Sequence, residues 1–178
     1  MVTNWSSRAG SGPKNFFAPA SPTDVTAPTY DSDGSAGFGV GKPAVHFNTG
    51  AYLKADARCE SVTVFIVLKK DGTQSFTWGI FGSNQGSDIG FRYANNTGVN
   101  LGTGSGYTRV GDYVRFNRVQ QTGQTGTFSG QTLVLAAVLG IEWHMDSRYG
   151  YNAINKYCSN SGAKQWYAEI ITYSRELS

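Results

Sequence analysis

The stretch SVTVFIVLKK, Ser61 to Lys70, decides the fold class of this chain. In a β-strand its alternate positions would present four aliphatic side chains on one face: Val62, Val64, Ile66 and Leu68. Phe65 and Val67 make much of the other face apolar as well. A strand that is apolar on both faces is typical of a central strand covered on both sides, as in a two-sheet sandwich.

Further short strands are predicted on both sides of this stretch, most of them separated by turn-forming residues: AVHFN, AYLKA, FTWGIFG, IGFRYA, YVRFNRV, TLVLAAVLG and QWYAEIITYSRELS, the last with a short polar tail. The turn at Thr49-Gly50 predicts a hairpin between the first two. QTGQTGTFSGQ is interpreted as an exposed loop, and no segment has the apolar spacing of a helix. Roughly ten to twelve short strands indicate an all-β fold, an antiparallel two-sheet jelly-roll sandwich.

Length and composition favour one domain over residues 1–178. The chain has 178 residues, of which 39% are hydrophobic, enough for one full core. Residues 1–41 are rich in Gly, Ser, Pro and Ala without a lasting period, which predicts an irregular N-terminal segment packed on the domain.

Charge and targeting signals exclude several classes of protein. Only 15% of residues are charged, the net charge is +3, and the basic residues are scattered, which argues against a nucleic-acid partner. No apolar run is long enough to predict membrane insertion. The N-terminus has no signal-peptide pattern, so the chain is expected to be soluble and made without export, unless it is cut from a longer secreted protein.

Two cysteines, Cys59 and Cys158, are too few for a disulfide framework and too far apart for a zinc motif. One bridge between them and two separate buried thiols remain open alternatives.

The sequence resembles laminin-G-like domains of the concanavalin A-like lectin and glucanase superfamily. GKPAVHFNTGAYLKA is similar to their first strand pair, and WYAEIITYSRELS to their closing strand with its polar R-x-L-S ending. The opening NWSSRAGSGPKN is similar to that of many microbial members. The resemblance implies a jelly roll of two curved sheets, whose concave face or loop rim binds carbohydrate or a protein partner. Such domains occur in adhesins, secreted glycan-active proteins and bacteriophage tail or capsid-surface proteins.

GIEWHMD, Gly140 to Asp146, is the candidate functional stretch. As a strand it would place Glu142, His144 and Asp146 on one face. The superfamily includes glycosidases with two glutamates and an aspartate on one strand, where paired carboxylates act as nucleophile and acid. Here a histidine stands at the second position and an aspartate replaces the second glutamate, which argues against a hydrolase. The residues of this stretch do not match a polysaccharide lyase motif either, so no catalytic residues are predicted.

The same stretch, with Tyr149 and Tyr151 of the following SRYGYN, has the residue types of a binding surface. Sugars need paired hydrogen bonds for their hydroxyls and aromatic faces for their C–H groups. The predicted ligand-binding residues are Glu142, His144, Asp146, Tyr149 and Tyr151. The alternative is a solvated outer face with the tyrosines packed over its edge.

DSDG, Asp31 to Gly34, is similar to the start of a calcium loop, in which alternate carboxylates surround the ion. The later glutamate ligand of an EF-hand is missing, and a turn held by Asp31 and Asp33 is the competing interpretation. No cofactor is predicted, and calcium at these two residues is the only metal hypothesis.

Three functions follow as hypotheses. The first is a non-catalytic recognition module that binds a glycan or a surface protein, located on a virion or outside the cell. The second is a structural decoration or assembly subunit, which a large apolar surface patch or a fixed homo-oligomer would favour. The third is a glycan-cleaving enzyme, against which the EWHMD pattern argues.

Overall fold

The computed structural model describes residues 4–6, 15–17, 27–55, 63–71, 79–83, 90–93, 98–102, 113–120, 125–127, 132–138, 152–155, 163–173, 175 and 177. These residues form fifteen β-strands: β1 (Asn4–Ser6), β2 (Asn15–Phe17), β3 (Thr29–Asp31), β4 (Ala44–Phe47), β5 (Leu53–Ala55), β6 (Thr63–Lys70), β7 (Gly79–Ser83), β8 (Gly90–Tyr93), β9 (Gly98–Gly102), β10 (Tyr113–Phe116), β11 (Val119–Gln120), β12 (Thr125–Thr127), β13 (Thr132–Val138), β14 (Asn152–Ile154) and β15 (Gln165–Tyr173). Cys59 and Cys158 lie outside the described residues.

The strands form two antiparallel sheets. Eight strands follow the order β1-β2-β5-β14-β7-β8-β9-β12, and seven follow the order β11-β10-β13-β6-β15-β4-β3. The sequence-based prediction of an all-β, antiparallel fold is therefore confirmed. Among the described residues, no helix is long and apolar enough to cross a membrane.

β6, the strand from which the fold was predicted, lies inside the seven-stranded sheet between β13 and β15. Its residues Val64, Ile66 and Leu68 have no exposed surface. The prediction that both faces are covered is wrong, because Phe65 and Val67 on the opposite face are only half-buried. One face of β6 is core, and the other is an apolar surface that is partly open.

The predicted hairpin between AVHFN and AYLKA is wrong as well. β4 pairs with β3 and β15, whereas β5 pairs with β2 and β14 in the other sheet. The turn itself is present, since Ala51 N donates to Asn48 O at 3.0 Å and Gly50 has a φ of 85°. Phe47 and Leu53, on either side of it, are both fully buried. The turn thus carries the chain from one sheet to the other.

Five regions contain more regular structure than their sequences predict. β1, β2 and β3 lie within the N-terminal segment, β12 lies within QTGQTGTFSGQ, and β9 and β14 lie where no strand is predicted. YVRFNRV is two strands, because Asn117 and Arg118 both have positive φ, 49° and 72°, and turn β10 back into β11. Two successive positive-φ residues are typical of the tightest hairpin turns.

Buried polar side chains link the two sheets. The Tyr167 hydroxyl on β15 donates to Ile80 O on β7 at 2.5 Å, and Gln165 Nε2 donates to that hydroxyl at 2.7 Å. Asn155, directly after β14, donates to Ala51 O and Ala163 O, each at 2.8 Å. These contacts satisfy polar groups that would otherwise be buried without partners.

Candidate functional site

The predicted binding residues Glu142, His144, Asp146, Tyr149 and Tyr151 lie outside the described residues. The strands on either side of them in the chain are described. β13 is an interior strand of the seven-stranded sheet, and β14 is an interior strand of the eight-stranded sheet. Residues 139–151 therefore connect the middle of one sheet to the middle of the other. Whether they bind a ligand stays a prediction.

Asp31 and Asp33 lie at the end of β3 and in the loop that follows, and their carboxylates hold that loop. Asp31 Oδ1 accepts from Gly34 N at 3.0 Å, and its Oδ2 accepts from Ala36 N at 3.2 Å. Asp33 Oδ1 accepts from Ser35 N at 2.9 Å. Asp33 thus binds the backbone two residues on, as in an Asx-turn, and Asp31 binds it further along the same loop.

The hydrogen bonds around Asp33 also affect its acidity. The backbone N–H of Ser35, then its hydroxyl and the side chain of Asp31, lower the pKa of the Asp33 carboxyl below its usual value. Among the described residues, no group of three or more His, Cys, Asp or Glu side chains is arranged to hold a metal ion.

Gly34 is required where this loop returns to its start. Its φ is 72°, and a Cβ at this position would lie 1.8 Å from the Lys42 carbonyl oxygen. Gly41 N and Lys42 N both donate to Asp33 O, which closes the loop. The segment from Asp31 to Lys42 is called the β3–β4 loop below.

A polar cluster at one end of the seven-stranded sheet, called the His46 cluster, consists of His46, Asp71, Lys164 and Trp166. His46 Nε2 lies 2.8 Å from Asp71 Oδ2, and Lys164 Nζ lies 3.1 Å from the same oxygen. Because an ionised carboxylate only accepts hydrogen bonds, His46 Nε2 carries the hydrogen in this contact. The His46 ring stacks on Trp166, with centroids 4.1 Å apart and planes inclined by 25°.

Burial and these two partners act in opposite directions on Asp71. Partial burial raises the pKa of the Asp71 carboxyl, while hydrogen bonds and charge from Lys164 and His46 lower it. The partners prevail, so the pKa of Asp71 lies below its usual value. Asp71 is therefore ionised at neutral pH and joins β4 to the start of β15.

The β3–β4 loop packs on the same part of the sheet. Lys69 Nζ donates to Gly37 O at 2.5 Å, and a Cβ at Gly37 would lie 3.0 Å from the Trp166 ring. Trp166 thus has His46 and Gly37 as close neighbours. These two contacts fix the β3–β4 loop on the sheet, next to the cluster that contains the Asp71–Lys164 ion pair. The role of this arrangement is structural.

Sequence reasoning missed the His46 cluster. His46 lies in AVHFN, which the pattern predicts only as a strand, and Asp71 directly follows the predicted strand that ends at Lys70. Their contact follows once it is known that β4 pairs with β15 and that β15 pairs with β6. That pairing joins segments more than a hundred residues apart, and strand alternation alone does not specify it.

The open apolar face of the seven-stranded sheet is the second candidate surface. We call it the outer strip, and its members are Phe65, Val67, Val134, Ala136, Ile171 and Tyr173. Val134, Ile171 and Tyr173 are 43%, 37% and 38% exposed, and Phe65 and Tyr173 meet edge to face with centroids 6.4 Å apart. Contiguous apolar side chains on a protein surface mark contact sites for a partner.

Comparison with protein-family models, with curated proteins and with solved structures gave no match. The resemblance to laminin-G-like domains therefore depends on the sequence segments quoted above. Membership of that family stays a prediction.

Proposed function

We propose that this chain is a non-catalytic recognition module, built on a jelly-roll sandwich of the laminin-G-like kind. Its ligand is a carbohydrate or a protein on a cell or virion surface. The segment that binds this ligand runs from Glu142 to Tyr151.

The topology around that segment supports the proposal. The chain passes between the sheets at every connection from β11 to β15, and again from β4 to β7. Repeated crossing between two antiparallel sheets is typical of jelly rolls. In such a fold a connection between interior strands of opposite sheets lies at the rim, where loops on a rigid scaffold carry binding residues.

The chemistry of the segment completes the argument. Two carboxylates, an imidazole and two tyrosines within ten residues offer both hydrogen-bonding groups and aromatic faces. This combination suits a sugar, whose hydroxyls and C–H faces need both kinds of contact.

The test is a glycan-array screen of the purified domain with and without calcium. We expect a specific signal that is lost in the triple variant E142A/H144A/Y149A and kept in Tyr30→Ala. Tyr30 is the matched control, because this aromatic residue is 59% exposed on the edge strand β3, outside the segment. Circular dichroism verifies that each variant is folded.

Two other results would contradict the proposal. A signal that the triple variant retains would place the ligand elsewhere on the protein. A blank array from folded protein would exclude a carbohydrate as the ligand. A separate outcome concerns the metal: loss of signal on calcium removal would support the calcium hypothesis for Asp31 and Asp33.

A structural assembly subunit is the second candidate function. The observation that favours it is the outer strip, since an exposed apolar face suits a permanent protein contact. The blank array described above is the result that would shift the assignment to this function.

A further inference from the structure

The outer strip is bounded at both ends by chain segments that cross over β6. At one end, the Thr63 hydroxyl donates to Arg175 O at 2.8 Å and accepts from Leu177 N at 3.1 Å. At the other end, the β3–β4 loop contacts Lys69 on β6 and Trp166 on β15. Between these two covering segments lies the partly exposed outer strip, which we also call the apolar floor.

The strand register arranges the floor in two rows, of which the first crosses four strands and the second crosses three. The first row is formed by Arg115 on β10, Ala136 on β13, Phe65 on β6 and Ile171 on β15. The second row is formed by Val134 on β13, Val67 on β6 and Glu169 on β15. Residues directly opposite each other in antiparallel strands share a face, so each row lies on the outer side.

Charges of opposite sign lie at opposite borders of this floor. Arg115 is exposed at the β10 border, and Glu169 is exposed at the β15 border, about 15 Å away at the usual strand spacing. The members between them, Val134, Val67, Ala136 and Phe65, are apolar. The floor is therefore apolar in its centre and carries one charge of each sign at its sides.

We propose that the outer strip is a self-association surface, on which a second copy of this chain docks face to face about a two-fold axis parallel to β6 and β13. The axis passes between these two central strands. It places β10 of one copy opposite β15 of the other, and the reverse.

This rotation makes the charges complementary. Arg115 of each copy then faces Ile171 of the other, and Glu169 lies two residues along the same strand, about 7 Å away. An arginine side chain spans that distance. The symmetric dimer therefore contains the Arg115–Glu169 pair twice, as an isologous interface requires.

The two covering segments, at Arg175 and Leu177 and in the β3–β4 loop, also fit this two-fold arrangement. Both of them contact β6, and the β3–β4 loop also contacts β15, whereas Thr132 and Val134 on β13 and Arg115 on β10 are exposed. The two-fold rotation places the covered half of each copy over the open half of its partner. This asymmetry of the face is our reason for choosing a second copy as the occupant.

The size of the floor predicts a weak dimer. Four strands at about 4.8 Å and about six residues along β6 at about 3.3 Å give roughly 400 Å² per copy. Specific, stable interfaces bury about 800 Å² per partner, and smaller ones belong to transient complexes. We expect a reversible dimer with a dissociation constant in the micromolar range or above.

The experiment is sedimentation equilibrium of the full chain over a range of concentrations up to about 500 µM. The range extends this high because a weak dimer is populated only at high protein concentration. The variants are Val134→Lys at the centre of the floor, and R115E and E169R at its borders. Val40→Lys is the matched control, because Val40 is 83% exposed in the β3–β4 loop, away from the strip. Circular dichroism verifies the fold of each variant.

We expect a dimer for the wild type and for Val40→Lys, and dimerisation at least tenfold weaker for Val134→Lys, R115E and E169R. Each border variant brings like charges together twice. An equimolar mixture of R115E and E169R restores both opposite-charge contacts, so it dimerises again. So does the double variant R115E/E169R.

A wild type that stays monomeric over the whole range would overturn the inference. So would a dimer that Val134→Lys leaves intact, a mixture that fails to restore association, or open-ended assembly in place of a closed pair. Because none of these variants touches residues 142–151, the outcome is independent of the proposed ligand site.

Discussion

Asn155 combines a positive φ of 62° with complete burial, a conformation that few residues other than glycine adopt. Its Nδ2 donates to Ala51 O and Ala163 O, its Oδ1 accepts from Gln165 Nε2, and its backbone N donates to Ile80 O. The side chain thus connects segments that lie more than a hundred residues apart in the sequence. We expect this residue to be among the least replaceable in the described part of the chain.

The variant Asn155→Ala removes these side-chain bonds and leaves buried carbonyls without a donor. We expect the free energy of unfolding to fall by about 3–5 kcal/mol, from unsatisfied polar groups and from alanine at positive φ. Asn155→Gly removes the same bonds without the backbone strain and should be about 1 kcal/mol more stable than the alanine variant. Urea unfolding measures both, and equal stability of the two variants would contradict the role of φ.

The second prediction at the scale of a single residue concerns Asp71 and the pH dependence of stability. Its pKa in the folded protein lies below the ordinary value of 3.8 for an aspartate. A carboxyl with a depressed folded pKa stabilises the fold fully above its unfolded pKa, and this contribution is lost as pH falls through the folded value. We therefore expect the stability difference between the wild type and Asp71→Asn to shrink from about pH 5 downward. Urea unfolding at several pH values measures it, and a difference that is constant down to pH 2 would contradict the His46 cluster.

The sequence could not predict the contacts of these two residues. It predicted β6, which Asp71 follows, but not β14, which precedes Asn155. The local sequence YNAIN does not indicate the contacts of Asn155, because its partners come from the β4–β5 turn and from the residues just before β15. Asp71 directly follows β6, but its charge partners come from β4 and from the residue before β15. In both cases the missing information is which distant segments meet.

At the scale of the element, the β10–β11 hairpin has one residue of the wrong type for its turn. Asn117 tolerates its φ of 49°, and its side chain bonds Thr132 O and Val134 N on β13. Arg118 has a φ of 72°, which a Cβ disfavours. Asn-Gly is the preferred pair for a two-residue turn with both φ angles positive.

We therefore expect Arg118→Gly to stabilise the protein by about 0.4–1 kcal/mol, because it removes backbone strain. Arg118→Ala is the matched control, since it removes the same exposed charge and keeps the strain. The midpoint of urea unfolding should rise for glycine only. A rise of equal size for alanine would assign the effect to charge.

Alternation of apolar residues identified β6, β13 and β15 correctly, because each is long enough for the period of two to be visible. It failed for the predicted β4–β5 hairpin, since a period of two indicates that strands exist and not which strands pair. It also missed the N-terminal strands β1 to β3, which have only three residues each. The interpretation of β6 as covered on both faces failed because composition does not distinguish a buried face from an apolar face that is partly exposed.

At the scale of the whole molecule, the order of strands indicates that neither sheet can form without the other. β5, β7 and β14 of the eight-stranded sheet alternate along the chain with β4, β6 and β15 of the seven-stranded sheet. The Tyr167 hydroxyl then joins β15 to β7 through Ile80 O. Unfolding one sheet would therefore break these buried bonds to the other.

We accordingly expect both sheets to open in one cooperative transition, which is usual for single domains of this size. Hydrogen exchange measured by mass spectrometry should give the same free energy of opening for peptides that cover β6 and β7. Tyr167→Phe removes the hydroxyl bond between the sheets and should lower both values together, by about 1–3 kcal/mol. Tyr173→Phe is the matched control, because Tyr173 is 38% exposed, and it should change them by less than about 0.5 kcal/mol. A β7 peptide that opens well before β6, or that alone responds to Tyr167→Phe, would mean that the eight-stranded sheet unfolds independently.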